Sequence, residues 1–406
     1  MPDLDTRLAR SRAALLAEIE QPPLADVRRR AARIRRRRAT RVGAAALAVV
    51  AAVGIASHPW ADPPASDPPA AAPTGAAPVY KGEGIEITGL APGRLFDIEG
   101  EPVDVEFTDA KTGMAYAIPG VARTDDGGLT WTALPPPAGA TTDMELVAFP
   151  GGRYLLAGAG PTVYVIDEGG ARWRAAQVSA PVARAALGAG EIPRLDRTTG
   201  AVTVWNPDRG PLGPLAEQPD LTARWIAPAP AADGAWWVGG VGDGGAPAVA
   251  VTRDGGRSWQ TRSLDVPSGQ VSTVAVGTLG TDVYAVAKGK SDELRGIYYS
   301  ADGGRGFAMT YSATAAAVEA WRAPAHIAGD PVPLLDGRLL LAGSIGVNAG
   351  WWLSDDDGAT LRHAAGLPFV GPILRTIGGY VAYRLFGGPW SAFSTDGTAW
   401  QKLQFS

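Results

Sequence analysis

The sequence predicts an all-β protein: a β-propeller of seven blades, with six as the alternative, preceded by a cytoplasmic amphipathic helix and one transmembrane helix. One observation is a turn phrase that recurs down the last three quarters of the chain, with a hydroxyl residue, Asp, Gly and an aromatic at nearly fixed offsets. Another is the interval between copies, which matches a four-stranded blade. A third is the texture between them, short β-branched and aromatic runs bounded by Gly, Pro and Asp.

The fullest copies of the phrase are Thr124 to Trp131 and Thr252 to Trp259, which share Asp126, Gly128 and Trp131 with Asp254, Gly256 and Trp259. Ser300 to Phe307 repeats it with Asp302, Gly304 and a Phe in place of Trp, and Ser354 to Leu361 with Asp356, Gly358 and a Leu. Two copies are worn. Ser394 to Trp400 keeps Asp396 and Trp400 but is one residue short, and Ile166 to Trp173 keeps only its Gly pair and the Trp. Such a phrase makes a hairpin turn: the carboxylate accepts backbone N–H groups of its own turn, Gly takes a positive φ, and the aromatic packs back on the sheet.

Taking Asp126, Glu168, Asp254, Asp302, Asp356 and Asp396 as anchors, the gaps are 42, 86, 48, 54 and 40 residues. The gap of 86 is two periods. A silent blade therefore belongs there, with Val202 to Asn206 as a strand and Asp208 to Gly210 as its turn. Val103 to Phe107, Arg153 to Ala157 and Val163 to Ile166 read as further strands. Gly84 to Gly89 precedes the first complete blade and is expected to pair with the last one, hiding its edge.

The phrase resembles the Asp box of the BNR repeat proteins, which include sialidases, sortilin-type receptors, oligoxyloglucan hydrolases and the photosystem II assembly-factor propellers. The resemblance spans residues 80 to 406. It implies boxes on the outer edge of each blade, between the third and fourth strands and remote from the central face where ligands bind. For a sialidase it further implies three Arg residues clamping a substrate carboxylate, a Tyr nucleophile activated by a Glu, and an Asp as acid/base. Arg94, Arg123, Arg322, Arg338, Arg375 and Arg384 are the available arginines, Tyr380 and Tyr383 the late tyrosines, and Glu319 the acidic partner. Arg94, Arg375 and Tyr383 are the catalytic candidates on this reading. The family's F/Y-R-I-P phrase is absent, and Gly93-Arg94-Leu95-Phe96 stands nearest to it.

Binding without chemistry fits the adjacent pairs Trp236-Trp237 and Trp351-Trp352. On a strand, neighbours point to opposite faces. Trp237 and Trp351 are thus candidates to stack on a carbohydrate or peptide, the alternative being that these rings fill the space between blades. Asp355-Asp356-Asp357-Gly358 is explained by its register as a turn rather than as a calcium loop. No metal and no cofactor is expected, since the chain has 3 His and no Cys and carries no phosphate-cradling loop.

The amino-terminal part reads differently. Residues 1–41 hold twelve Arg against five acids, net +7, so the remainder carries −11 of the total −4. That acidic balance excludes nucleic acid as a partner of the propeller. Leu4, Leu8, Leu15, Leu16 and Ile19 recur at helical spacing, an amphipathic helix for anionic lipid or for a cytoplasmic protein partner of residues 1–20. Residues 42–60 are expected to span the membrane, since Val42 to Ser57 is free of charge and follows an Arg run that sets the amino terminus inside; a cleaved signal peptide is the alternative. Residues 61–79 form a Pro/Ala-rich linker, and 80–406 the propeller outside the cell membrane. The function expected is a recognition or scaffolding module for a glycan, peptide or protein. The alternatives are an exo-sialidase or other glycoside hydrolase, and a transmembrane signalling protein acting through its amino-terminal helix.

Overall fold

The computed structural model describes residues 80–89, 102–117, 120–141, 144–158, 162–166, 172–385 and 390–403. The expected amino-terminal helix, transmembrane segment 42–60 and linker 61–79, together with Arg94 and the expected turn at Glu168, lie outside them. Among the described residues no helix is long and apolar enough to cross a membrane.

Short strands punctuated by Gly and Asp turns pair into seven sheets, antiparallel within each blade. The chain enters through Tyr80–Gly82 (β1) and Ile85–Thr88 (β2). Blade 1 is Pro102–Phe107 (β3), Gly113–Ala117 (β4), Val121–Thr124 (β5) and Thr132–Leu134 (β6). Blade 2 is Glu145–Phe149 (β7), Arg153–Ala157 (β8), Thr162–Ile166 (β9) and Arg174–Gln177 (β10). Blade 3 has Ile192–Leu195 (β11), Val202–Asn206 (β12) and Gly210–Pro214 (β13). Blade 4 is Thr222–Ile226 (β14), Trp236–Val241 (β15), Pro247–Thr252 (β16) and Gln260–Ser263 (β17). Blade 5 is Thr273–Leu279 (β18), Asp282–Lys288 (β19), Leu294–Ser300 (β20) and Ala308–Ser312 (β21), followed by a short helix, Ala315–Glu319 (α1). Blade 6 splits its first strand into His326–Ile327 (β22) and Val332–Pro333 (β23), then continues through Leu339–Ile345 (β24), Asn348–Ser354 (β25) and Arg362–His363 (β26). Blade 7 is Ile373–Arg375 (β27), Tyr380–Leu385 (β28), Trp390–Ser394 (β29) and Ala399–Lys402 (β30).

A blade is covered on both faces by its neighbours, which is why β16 and most of β19 are buried at consecutive positions rather than at alternate ones. The apolar clusters show the ring directly. Met114 and Tyr116 of blade 1 meet Leu146 and Tyr154 of blade 2; Val147 and Phe149 meet Ile192 of blade 3; Val202 and Val204 meet Ala223 and Val238 of blade 4. Trp237 then packs with Val274 and Ala285 of blade 5, Tyr284 and Ile297 with Leu341 and Trp352 of blade 6, and Trp351 with Ile373 and Trp400 of blade 7. The last interface returns to the start: Val105, Phe107 and Trp131 pack against Val381, Phe393 and Leu403, with the two Phe rings stacked 3.7 Å apart. The protein is a closed seven-bladed propeller.

The Trp pairs take their place in this ring. Trp351 and Trp352 leave β25 on opposite faces, one toward blade 7 and the other toward blade 5, and both are buried. Trp237 is 3% exposed and Trp351 0%, so neither presents its ring to solvent.

The repeated turns connect third to fourth strands and share one hydrogen-bond pattern. In the first, Thr124 Oγ1 donates to Asp126 Oδ1 at 2.8 Å and accepts the Gly128 N–H at 2.9 Å, while the Thr130 N–H and hydroxyl donate to Asp126 at 2.9 and 2.6 Å. Asp254 repeats it with Thr252, Gly256 and Ser258, and Asp356 with Ser354, Gly358 and Thr360. Asp302 and Asp396 keep the hydroxyl–carboxylate bond and bind N–H groups of Arg305, Gly306, Thr398 and Ala399. Trp131 and Trp400 donate their indole N–H to the carbonyl of the turn's own Gly, whereas Trp259 reaches across to Glu217. The Gly lies against the preceding blade: a Cβ at Gly304, whose φ is +82°, would fall 2.2 Å from the Trp237 ring.

The silent blade is blade 3. Its fourth-strand position is taken by residues 182–184, which run parallel to β13 through Val182 N–H to Leu212 O and Arg184 N–H to Pro214 O, both 2.9 Å. Gln218 does the turn's work there, its side chain bonding both the N–H and the carbonyl of Val202. At the entry, β2 pairs parallel with β30 and covers the last blade's edge, while the Phe107–Phe393 cluster shuts the ring.

These turns make a prediction. Serine or threonine hydrogen bonds hold the Asp254 carboxyl down to about 2, and Asp126, Asp302, Asp356 and Asp396 are also lowered. Depressed folded values give stability that is present above the unfolded value of 3.8 and lost as pH falls through the folded one. Thermal melting followed from pH 5 to about pH 2 will show its steepest loss below about pH 4. Asp254→Ala, which strands the buried Thr252 hydroxyl, will cost about 1–3 kcal/mol at neutral pH and flatten that slope.

Candidate functional site

Seven first strands standing around one axis leave a channel, and a cavity opens there. It encloses about 800 Å³ and receives residues from every blade: Asp104 and Glu106, Glu145, Arg194, Arg224 and Trp225, Lys288, Asp330, and Arg375 with Tyr383. Five acids and five bases line it, the acids being Asp104, Glu106, Glu145, Asp196 and Asp330, the bases Arg194, Arg197, Arg224, Lys288 and Arg375.

The β3 wall is built by simple alternation. Asp104 and Glu106 share the face turned to the channel, while Val105 and Phe107 point into the interface with blade 7. Asp104 accepts the Leu146 N–H of blade 2 at 3.0 Å. Burial, then the nearby Glu145 charge, push its carboxyl up to about 6 against the pull of the Leu146 bond, Arg194 and Arg197. Burial and the Asp104 charge raise Glu106 well above the ordinary carboxylate range. Tyr383 of blade 7 accepts the Val105 N–H at 3.1 Å and donates to the Val105 carbonyl at 3.2 Å, capping the inner edge of β3. Burial and the charges of Asp104 and Glu106 hold its phenol far above 10.

The opposite wall is basic and bridged. Arg194 of blade 3 pairs with Glu145 of blade 2 and stacks 5.6 Å from the Trp205 ring. Lys288, 7% exposed, reaches Asp292 and the Gly329 carbonyl, each at 3.3 Å. Asp330 accepts the Trp225 indole N–H at 2.8 Å and the Arg375 backbone N–H at 3.0 Å. Arg197 and Arg224 are exposed to the cavity.

Arg375 and Tyr383 thus meet in one cavity. Arg123 instead pairs with Asp125 at 2.6 Å on the outer strands, Arg338 with Asp336 at 2.7 Å, and Arg322 is exposed beside α1. Glu319 is exposed on α1, and the acids around Tyr383 are Asp104 and Glu106. Sequence reading passed over Asp104, Glu106, Arg194, Arg197 and Arg224. One signal was there: a strand that alternates apolar with acidic residues in a blade buried on both faces must turn its acids to water, and the channel is the water available. Among the described residues no group of His, Cys, Asp and Glu is arranged to hold a metal ion.

No family model and no curated protein matches this chain. It is similar to solved structures of YCF48 bound to D1 peptide (16% identity, 66% of this chain and 82% of that one, TM-score 0.41) and of YCF48 from Cyanidioschyzon merolae (16%, 70% and 94%, TM-score 0.44). A further similar structure is a catalytically inactive virginiamycin B lyase from Staphylococcus aureus with quinupristin (13%, 74% and 94%, TM-score 0.45). The blade count and ring closure described above rest on this chain's own sheets and clusters.

The raised carboxyls give the channel an opposite pH signature to the turns. An acid whose folded value is raised contributes stability that is complete below its unfolded value and lost as pH climbs toward the folded one, here from 3.8 to about 6 for Asp104, with Glu106 likewise raised well above its unfolded 4.5. Glu106→Gln will therefore raise the melting temperature at pH 8 and leave it nearly unchanged at pH 4. Equal gains at both pH values would show that packing, and not charge, is responsible.

Proposed function

We propose that this chain is a recognition propeller of the Asp-box type whose ligand seats in the central channel, presented outside a membrane by residues 1–79. The five turns of shared geometry support the Asp-box assignment. The charge-free segment behind the Arg run supports the anchor.

The observation that carries the binding reading is the channel itself, a cavity of about 800 Å³ built from all seven blades with charges of both signs on its wall. That volume suits a sugar unit or a few peptide residues. Planar guanidinium groups at Arg197 and Arg224 match a carboxylate, and Asp104 and Glu106 offer acceptors for hydroxyl or amide donors. The ligand class that fits is a glycan or peptide bearing a carboxylate. Residues 1–41 keep their reading as a cytoplasmic segment that lies on lipid or docks a partner.

One observation favours hydrolysis as a second reading. Two carboxyls on one face of β3 are both raised, and an acid that keeps its proton near neutrality is what a general acid requires. The test uses the full chain purified in detergent against carboxylated and neutral oligosaccharides and peptides, read by calorimetry and by product release. Saturable binding of a carboxylated member, weakened about tenfold or more in Arg197→Ala/Arg224→Ala, supports recognition. Turnover abolished by Glu106→Gln replaces it with a hydrolase. Binding that is indifferent to both substitutions removes the channel as the site.

A further inference from the structure

Blades 4 and 7 stand three steps apart on a ring of seven, the largest separation such a ring allows. Yet Arg375 of β27 joins them. Its Nη2 donates to the carbonyl of Pro230, in the connection between β14 and β15, at 2.9 Å, and its Nη1 to Thr278 Oγ1 at the end of β18 at 3.3 Å. A bond between such blades crosses the axis.

The crossing is braced. Asp330, 7% exposed, ties blade 4 to blade 6 through Trp225 and blade 6 to blade 7 through the Arg375 backbone. A second tie between blades 6 and 7 is Asp330 N–H to Ile373 O at 2.7 Å. The connection of residues 227–235 is itself an ordered turn, with Ala231 N–H to Ala235 O at 2.8 Å, Gly234 N–H to Ala231 O at 2.9 Å, and Asp233 held by Arg253 at 3.2 Å. Pro228 lines the cavity from it, while Ala227, Ala231 and Ala235 are buried against Val274 and Val276 of blade 5. The guanidinium itself is held by two neutral acceptors, a backbone carbonyl and a hydroxyl.

We infer that Arg375 is a latch that holds the 227–235 connection across one end of the channel, leaving the channel a single mouth. This deepens the channel reading and rests on it for its consequence. A one-mouthed socket takes a chain end or a side branch, whereas a polymer running through the axis has no exit. Arg375 then acts as a positioning residue, through the connection it holds.

The chain has no Cys, so one engineered thiol reports access cleanly. Leu374→Cys places it on the cavity wall, where Leu374 is 39% exposed. Labelling is timed in the full chain, without any ligand, using a small methanethiosulfonate and a bulky polyethylene-glycol maleimide. Arg375→Met is expected to speed the bulky reagent about tenfold, equivalent to about 1.4 kcal/mol, with little change for the small one. Arg375→Lys, which still reaches one acceptor, restores part of the barrier, and hydrogen exchange rises in 227–235 alone. Thr278→Val, which removes one acceptor and keeps the blade's apolar packing, gives an intermediate rate if Arg375→Met folds poorly. Equal acceleration of both reagents means a loosened blade, and no acceleration of either means no latch; each overturns the inference. Because no ligand enters the measurement, its failure is separable from failure of the binding reading.

Discussion

Five of the seven blades turn on a buried hydroxyl. Thr124, Thr252, Ser300, Ser354 and Ser394 are at most 2% exposed, and each hydroxyl both donates to the turn's carboxylate and accepts the N–H of a glycine in the turn. A buried hydroxyl without partners is costly, so the carboxylate and the N–H must stay where it can reach them. The glycine is thereby pinned at positive φ with no side chain, which lets it close on the preceding blade: Gly128 on Leu403, Gly256 on Leu215, Gly304 on Trp237, Gly358 on Ile297, Gly397 on Val332. The same few atoms turn the chain and set the spacing between blades.

That spacing decides the centre. With seven clusters at seven interfaces, the first strands are held at a radius that single side chains bridge between neighbours, as Arg194 does to Glu145 and Tyr383 to Val105. Neighbour bridges line the wall. Among the channel arginines of the described residues, Arg375 is the one bonded across blades three steps apart, which separates a wall contact from a floor contact.

The rim of the molecule was legible in the sequence and the centre was not, for a physical reason. A turn is local: Thr124 and Thr130 sit two and four residues from Asp126, so its chemistry is written in one short phrase, and the interval between phrases counts the blades. Even the silent blade was visible as a doubled gap, although its filler, the parallel segment at Val182 to Arg184, has no turn signature because Gln218 replaces the turn. The channel is the opposite case. Val105 and Tyr383 are 278 positions apart and Pro230 and Arg375 145, so which arginines converge depends on the angular position of each blade. The tryptophan pairs illustrate the same limit, since alternation placed Trp351 and Trp352 on opposite faces, but only the ring determines that both faces are covered.

The acids of β3 show what such a ring tolerates. Asp104 and Glu106 stand where burial and a neighbouring carboxylate, Glu145 for the first and Asp104 for the second, disfavour ionisation, a placement that costs stability at neutral pH. Relaxation would require β3 to swing toward solvent. It is held by Tyr383 on its inner edge, by the Leu146 N–H from blade 2, and by the Phe107–Phe393 stack behind it. Those three contacts come from blade 7 and blade 2, so the strain is borne by ring closure rather than by blade 1 itself. Apolar residues in their place would remove that cost, but one at position 104 would also take the acceptor from the Leu146 N–H and loosen the tie to blade 2, so Asp104 braces the closure that its burial strains.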